Sequence, residues 1–176
     1  MSELATKEQL LNKLRAYAET PDNDNIRFKQ KIKDNLMRCP ELLYCLNEKS
    51  LESELFNSDG TINEDGEWDR YFGENSNIRP YLNIPQTQTD YKNFVSYQVF
   101  FNDRPKYNPV EKYGEIKFTI FVYCENAIDK LTGIPRHDLI AAIICDRFNW
   151  TNIFGTQCKL TTTSESTTDN NYIVRT

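Results

Sequence analysis

Histidine occurs once in the 176 residues, at His137. Ser-His-Asp and Cys-His machinery therefore has a single imidazole to draw on. It falls in the first turn of an expected helix, where a solvent-facing or capping role is usual. The positive end of the helix dipole disfavours a cation there, so a neutral imidazole is expected. Glycine is also scarce: the six present are not clustered, and no glycine-rich phosphate loop can be built from them. No apolar run approaches the length of a membrane span. The opening MSELATKEQLLNKL is charged from its third residue and lacks the apolar core of a signal peptide. A soluble, intracellular chain is the expectation. The five cysteines (Cys39, Cys45, Cys124, Cys145, Cys158) are odd in number and irregularly spaced. Without a secretion signal they read as reduced thiols, three of them small core residues in apolar runs. Cys39 and Cys45 lack CxxC spacing and no second pair completes a tetrahedron, so no metal and no other cofactor is expected.

What the chain does contain is enough for a core. Its length suits one domain, or one domain with an appendage. Hydrophobic residues make up 39%, and Phe and Tyr number ten each. A charged fraction of 27% is ordinary, while a mean hydropathy of -0.67 indicates a very polar surface. The net charge of -5 is unevenly placed. Residues 1–50 hold nine Lys/Arg against eight Asp/Glu, and 91–176 hold ten against nine; the stretch 51–90 holds two against nine. Specific nucleic-acid binding needs a basic face, and none is visible in the linear sequence.

Periodicity divides the chain into a helical region 1–56, an acidic ordered loop segment 57–90, and a sheet-plus-helix core 91–176, read as one integrated domain. Thr6-Lys7-Glu8-Gln9 is a capping-box pattern. Leu10, Leu14 and Tyr17 follow at helical spacing with Leu11 and Ala18, and the turn Thr20-Pro21-Asp22-Asn23 ends that helix. A second helix starts near Asp24 and aligns Phe28, Ile32 and Leu36. A third starts at Pro40, which suits a first helical position, and carries Leu42, Leu43 and Leu46. These helices are amphipathic and need something to lie on. Residues 57–85 lack a period but hold Trp68, Tyr71, Phe72, Tyr81, Leu82 and Ile84, too many large apolar groups to leave in water. A strand follows with Val95, Tyr97, Val99 and Phe101 on its apolar side, then a loop from Asn102 to Gly114. On the other side of that strand, Phe94 and Phe100 would be accounted for by a cover of N-terminal helices. Ile116, Phe118, Ile120 and Val122 alternate with Glu115, Lys117, Thr119 and Phe121 as a second strand. A helix near Pro135 carries Leu139, Ile140, Ile143, Ile144 and Phe148. Two last strands are expected at Gln157–Thr163 and Tyr172–Thr176, joined by a polar turn Ser164–Asn170. The fold class is α+β: helices, then hairpin, helix and hairpin, forming a small mixed or antiparallel sheet packed on helices.

Candidate chemistry is thin. Asp59, Thr61, Asn63 and Asp65 resemble a calcium loop, but the sixth position is Glu64 instead of Gly and the twelfth is Arg70 instead of Glu. A pair of turns is the better reading. Glu115-Ile116-Lys117 has the Glu-x-Lys spacing of PD-(D/E)xK nucleases, which put both side chains on one strand face to meet an upstream acid and magnesium; Asp103 is the matching acid. A Glu-x-Lys is also what the solvated face of an alternating strand looks like. The chain is read as a non-enzyme, with this nuclease and a protein-binding adaptor acting through 51–90 as the alternatives.

The stretch FVSYQVFFNDRPKYNPVEKYGEIKFTIFVYCENAIDKLTGIPRHDLIAAIICDRFNW and the polar hairpin after it, about half the chain, resemble the tail-terminator and neck (head-tail joining) proteins of long-tailed bacteriophages. The resemblance implies a virion protein made in the host cytoplasm. It implies a self-associating ring, commonly a hexamer, that caps the tail tube and meets other neck or tail proteins. Two polar protrusions are the candidate contact surfaces. One is the loop Asp103–Glu111, with Arg104, Lys106 and Tyr107; the other is the acidic segment 59–74, with Glu64, Asp65 and Glu67 as a complement on a neighbour.

Overall fold

The computed structural model of the protein describes residues 6–18, 24–37, 39–82, 91–103, 112–161, 163–168 and 171–176. Four helices open the chain: α1 (Lys7–Ala18), α2 (Asp24–Leu36), α3 (Pro40–Leu46) and the single turn α4 (Glu52–Leu55). The expected capping box forms at the head of α1, where Thr6 N donates to Gln9 Oε1 at 2.9 Å and Gln9 N to Thr6 Oγ1 at 3.3 Å. Pro40 stands at the first position of α3, where its missing N–H costs nothing.

The sheet is built from β1 (Ile78–Arg79), β2 (Phe94–Asp103), β3 (Lys112–Tyr123), β4 (Glu165–Thr167) and β5 (Tyr172–Arg175), with α5 (Arg136–Phe148) between β3 and β4. Its order is β1-β2-β3-β5-β4; β1 runs parallel to β2 and the other pairs are antiparallel, so the sheet is mixed. The alternation read from the sequence sets its two faces. Val95, Tyr97, Val99, Ile120 and Val122 turn toward α2, α3 and α5, joining Ile32, Leu36, Leu42, Leu43, Ile140 and Phe148 in the main core. Phe28 on α2 meets Phe101 and Phe154 at 5.2 and 4.8 Å, and Phe118 meets Phe148 at 5.2 Å.

The opposite face differs from expectation at Phe94. The N-terminal helices do not cover it. Phe94 stacks on Phe121 at 4.4 Å, with Tyr172 edge-on and Tyr123 alongside, in a second small core. Phe100, further along β2, is exposed. Arg79 from the edge strand β1 lies over the Phe94 ring at 4.4 Å.

Three further expectations change. The last hairpin pairs β5 with Glu165–Thr167, residues expected to be a turn, while 157–161 form no strand. The reason is main-chain competition. Trp150 N donates to Cys158 O and Cys158 N to Thr151 O, so this segment is spent on the end of α5. Thr168 N then donates to Tyr172 O, and Ser164 and Thr176 exchange both main-chain hydrogen bonds. Second, β2 and β3 run further than expected, to Asp103 and from Lys112, so the loop between them is shorter. Third, among the described residues nothing covers the leucines of the apolar face of α1: Leu10, Leu11 and Leu14 are 51, 41 and 54% exposed.

Most of the acidic segment is ordered by its aromatics, as expected. Trp68 and Tyr71, on a 3-10 turn, are buried and Phe72 is half-buried; Tyr81 and Leu82 are exposed, and Ile84 lies outside the described residues. The turn Thr20-Pro21-Asp22-Asn23 lies outside them too.

Candidate assembly surface

The acidic protrusion is held by its backbone. Asn57 N donates to Thr61 O at 2.8 Å and Asn63 N to Leu55 O at 3.0 Å, closing a small hairpin after α4. Asp59 accepts from Thr61 N and Oγ1, and Asn63 Oδ1 from Asp65 N, so the residues that mimic a calcium loop make turns. Trp68 then pins the next turn: its ring is buried and Nε1 donates to Glu64 O at 3.3 Å. Gly66 fits there because a Cβ would stand 2.5 Å from the Glu54 carbonyl. The turn that a buried indole fixes from below presents Glu64, Asp65 and Glu67 outward, all three exposed. Arg70 pairs with Glu54 and stands 4.0 Å from Glu67, and Lys33 pairs with Asp69 at 3.3 Å. Arg104, Lys106 and Tyr107, their expected complement, lie outside the described residues.

The sheet edges form the second feature. β1 is two residues long and meets β2 only at Val95 and Ser96, and β5 meets β3 only at Ile120–Tyr123. From Tyr97 to Asp103 and from Lys112 to Thr119, β2 and β3 pair with each other and have no further strand on either side among the described residues. They make a two-stranded arm, one face packed through Val99, Phe101 and Ile116, both edges open among the described residues. At the far end of the sheet β4 is short and wholly exposed. Such edges offer unpaired main-chain groups to another strand.

Glu115 and Lys117 are both exposed on this arm, opposite Phe100 and Gln98. Asp103 pairs with Lys112, three ladder positions from Glu115, or about 10 Å along the strand. The backbone register therefore sets Asp103 apart from the Glu115–Lys117 pair.

His137 is buried, contrary to the expected solvent-facing or capping role, because the β4–β5 hairpin lies against the start of α5. Its Nε2 stands 3.3 Å from Glu165 Oε2 and 3.8 Å from Asp138 Oδ1. These three groups have donor atoms within 4.8 Å of one another, the spacing of a cation site. Arg175 already pairs with Asp138, so the cluster works as a stitch between hairpin and helix.

Two buried cations were not legible in the sequence. Arg136 pairs with Asp129 at 2.8 Å, and Asp129 also accepts from Tyr44 OH and from Thr132 N and Oγ1. Burial works against the Asp129 carboxylate, but the Thr132 donors, the Arg136 charge and the Tyr44 hydroxyl outweigh it and hold its pKa below the ordinary value. Arg79 is fully buried with no carboxylate paired to it among the described residues; Nε donates to Ser76 O at 2.8 Å, and desolvation lowers its pKa. The ring of Phe94 faces that charge from the other side.

A family model described as YomW matches residues 40–176, from α3 to the end of the chain, and YomW is a phage protein name. The match takes in the acidic protrusion, the arm and the whole sheet, and leaves α1 and α2 outside it. Neither the curated proteins nor the solved structures contain a match to the chain.

Proposed function

The chain belongs to the YomW family and is phage-associated, and from that premise we propose that it is a structural virion protein, a ring-forming tail-terminator or head-tail joining subunit. The observation that carries this reading is the two-stranded arm, whose edges from Tyr97 to Asp103 and from Lys112 to Thr119 have no neighbouring strand among the described residues. Open edges of that length are an aggregation hazard unless something pairs or covers them. A neighbouring copy does so in every subunit alike, and head-to-tail contacts close into a ring when the rotation permits. The acid-rich turn, rigidly mounted on Trp68, supplies a polar contact of fixed geometry. Working surface in this protein is edge and protrusion, and the function that suits it is assembly.

The test is electron microscopy of particles produced by a phage whose gene for this chain is disrupted. Loss of a cap or joint leaves tails of irregular length, or full heads and tails unattached; complementation restores joined particles. Joined particles of normal tail length in the disrupted phage refute the proposal.

A further inference from the structure

We propose that α1 is a docking helix whose apolar face seats on the acidic segment around Ile62 of a second copy of this chain. This takes the assembling-subunit reading as its ground and names the contact. The helix is 12 residues long, about 18 Å, a length at which an isolated helix is marginal in water. Yet Leu10, Leu11 and Leu14 stand about half in solvent, so burial within the chain does not account for its order. At helical spacing Lys7 falls within that apolar face, and Lys13 and Arg15 flank it on either side, against the single acid Glu8. The face is therefore apolar with a basic border.

Its complement is present in the same sequence. From Leu51 to Glu74 one arginine stands against eight carboxylates; among the described residues Glu54, Asp69 and, at 4.0 Å, Glu67 have ion-pair partners. Ile62, in the middle of this acid, is itself 50% exposed and gives the apolar centre a docking helix needs. A basic-bordered helix also suits an anionic lipid surface. A body with net charge -5 and its own acidic protrusion is repelled by such a surface, so a second copy is the favoured occupant. One patch on each copy meeting a different patch on the next is the arrangement that propagates and closes.

The experiment is sedimentation velocity on the full chain and on Leu14→Asp and Ile62→Lys, both at exposed positions, with thermal melts confirming that the fold is kept. Each variant is expected to weaken assembly by about tenfold or more, the loss of one buried aliphatic contact. High salt is expected to weaken the wild-type assembly. An equal mixture of the two variants is expected to associate more strongly than either variant alone, because each supplies the half the other lacks. Variants that assemble like the wild type overturn the docking and leave the ring reading standing. A species of only two copies that depends on both faces supports the docking and removes the ring. A wild-type monomer that binds phosphatidylserine vesicles through Leu14 overturns the proposal in favour of lipid. A monomer that binds neither overturns both readings.

Discussion

Removing the Asp129 carboxylate, as Asp129→Asn, is expected to cost more stability than any other single-atom change in the core. Asp129 is almost wholly buried and accepts four hydrogen bonds: from Arg136 and Tyr44 on one oxygen, and from Thr132 N and Oγ1 on the other. An amide keeps one acceptor oxygen and turns its NH2 on donors, leaving the Arg136 guanidinium buried without a counter-charge. Breaking a buried pair in this way costs about 3–5 kcal/mol. For a chain of this size that is a drop in Tm of roughly 6–20 °C, at about 2–4 °C per kcal/mol. Urea denaturation of the wild type, Asp129→Asn, Arg136→Met and the double variant Asp129→Leu/Arg136→Met measures it. The double variant is expected to lose less than either single one, because no charge is stranded. The pH dependence follows from the direction of the shift. Asp129 has a folded pKa below its unfolded one, about 3.9, so its contribution is complete above that value. It is lost as pH falls through the folded value, and the acid limb of the stability curve flattens in the Asn variant. A single-variant loss below about 1 kcal/mol refutes the reasoning.

Gly66→Ala forces a Cβ against the Glu54 carbonyl and is expected to cost about 1–3 kcal/mol, with a changed Trp68 fluorescence spectrum; an unchanged melt contradicts the fixed-turn account. Burial pushes the Cys45 thiol up to about 11 and raises Cys39 as well, while Cys124 is exposed. Thiol titration of the native protein at neutral pH is therefore expected to show Cys124 reacting first and Cys39 and Cys45 only on unfolding. Thr6→Ala with Gln9→Ala removes both capping hydrogen bonds, worth about 1 kcal/mol to α1. Helicity is expected to fall by far-UV circular dichroism while the main melting transition stays in place, since among the described residues the core contains none of α1.

Legibility followed burial pattern. β3 was readable because Ile116, Phe118, Ile120 and Val122 face a core while their neighbours do not, which is what a period of two records. Helix α5 was readable for the same reason at the helical period. β4 was not: Glu, Ser and Thr at 165–167 are all exposed, and their pairing is set by main-chain bonds to β5 that no side-chain pattern encodes. β1 was hidden likewise, two residues joining β2 from a segment without period. The face of α1 was visible as a face, but its exposure depends on what the rest of the chain leaves uncovered. Of the expected contact residues, Glu64, Asp65 and Glu67 are exposed as a protrusion must be, and the part that mounts them, Trp68, was visible only as an apolar residue in an acidic run. The open edges of the arm follow from how short β1 and β5 are. Strand lengths, far more than composition, created that surface.

Self-association through those edges is most directly tested by native mass spectrometry of the purified full-length chain across a concentration series. A closed species of one fixed copy number, six by the resemblance to tail terminators, is the predicted result. A monomer at every concentration, unchanged when tail-tube protein is added, contradicts the account.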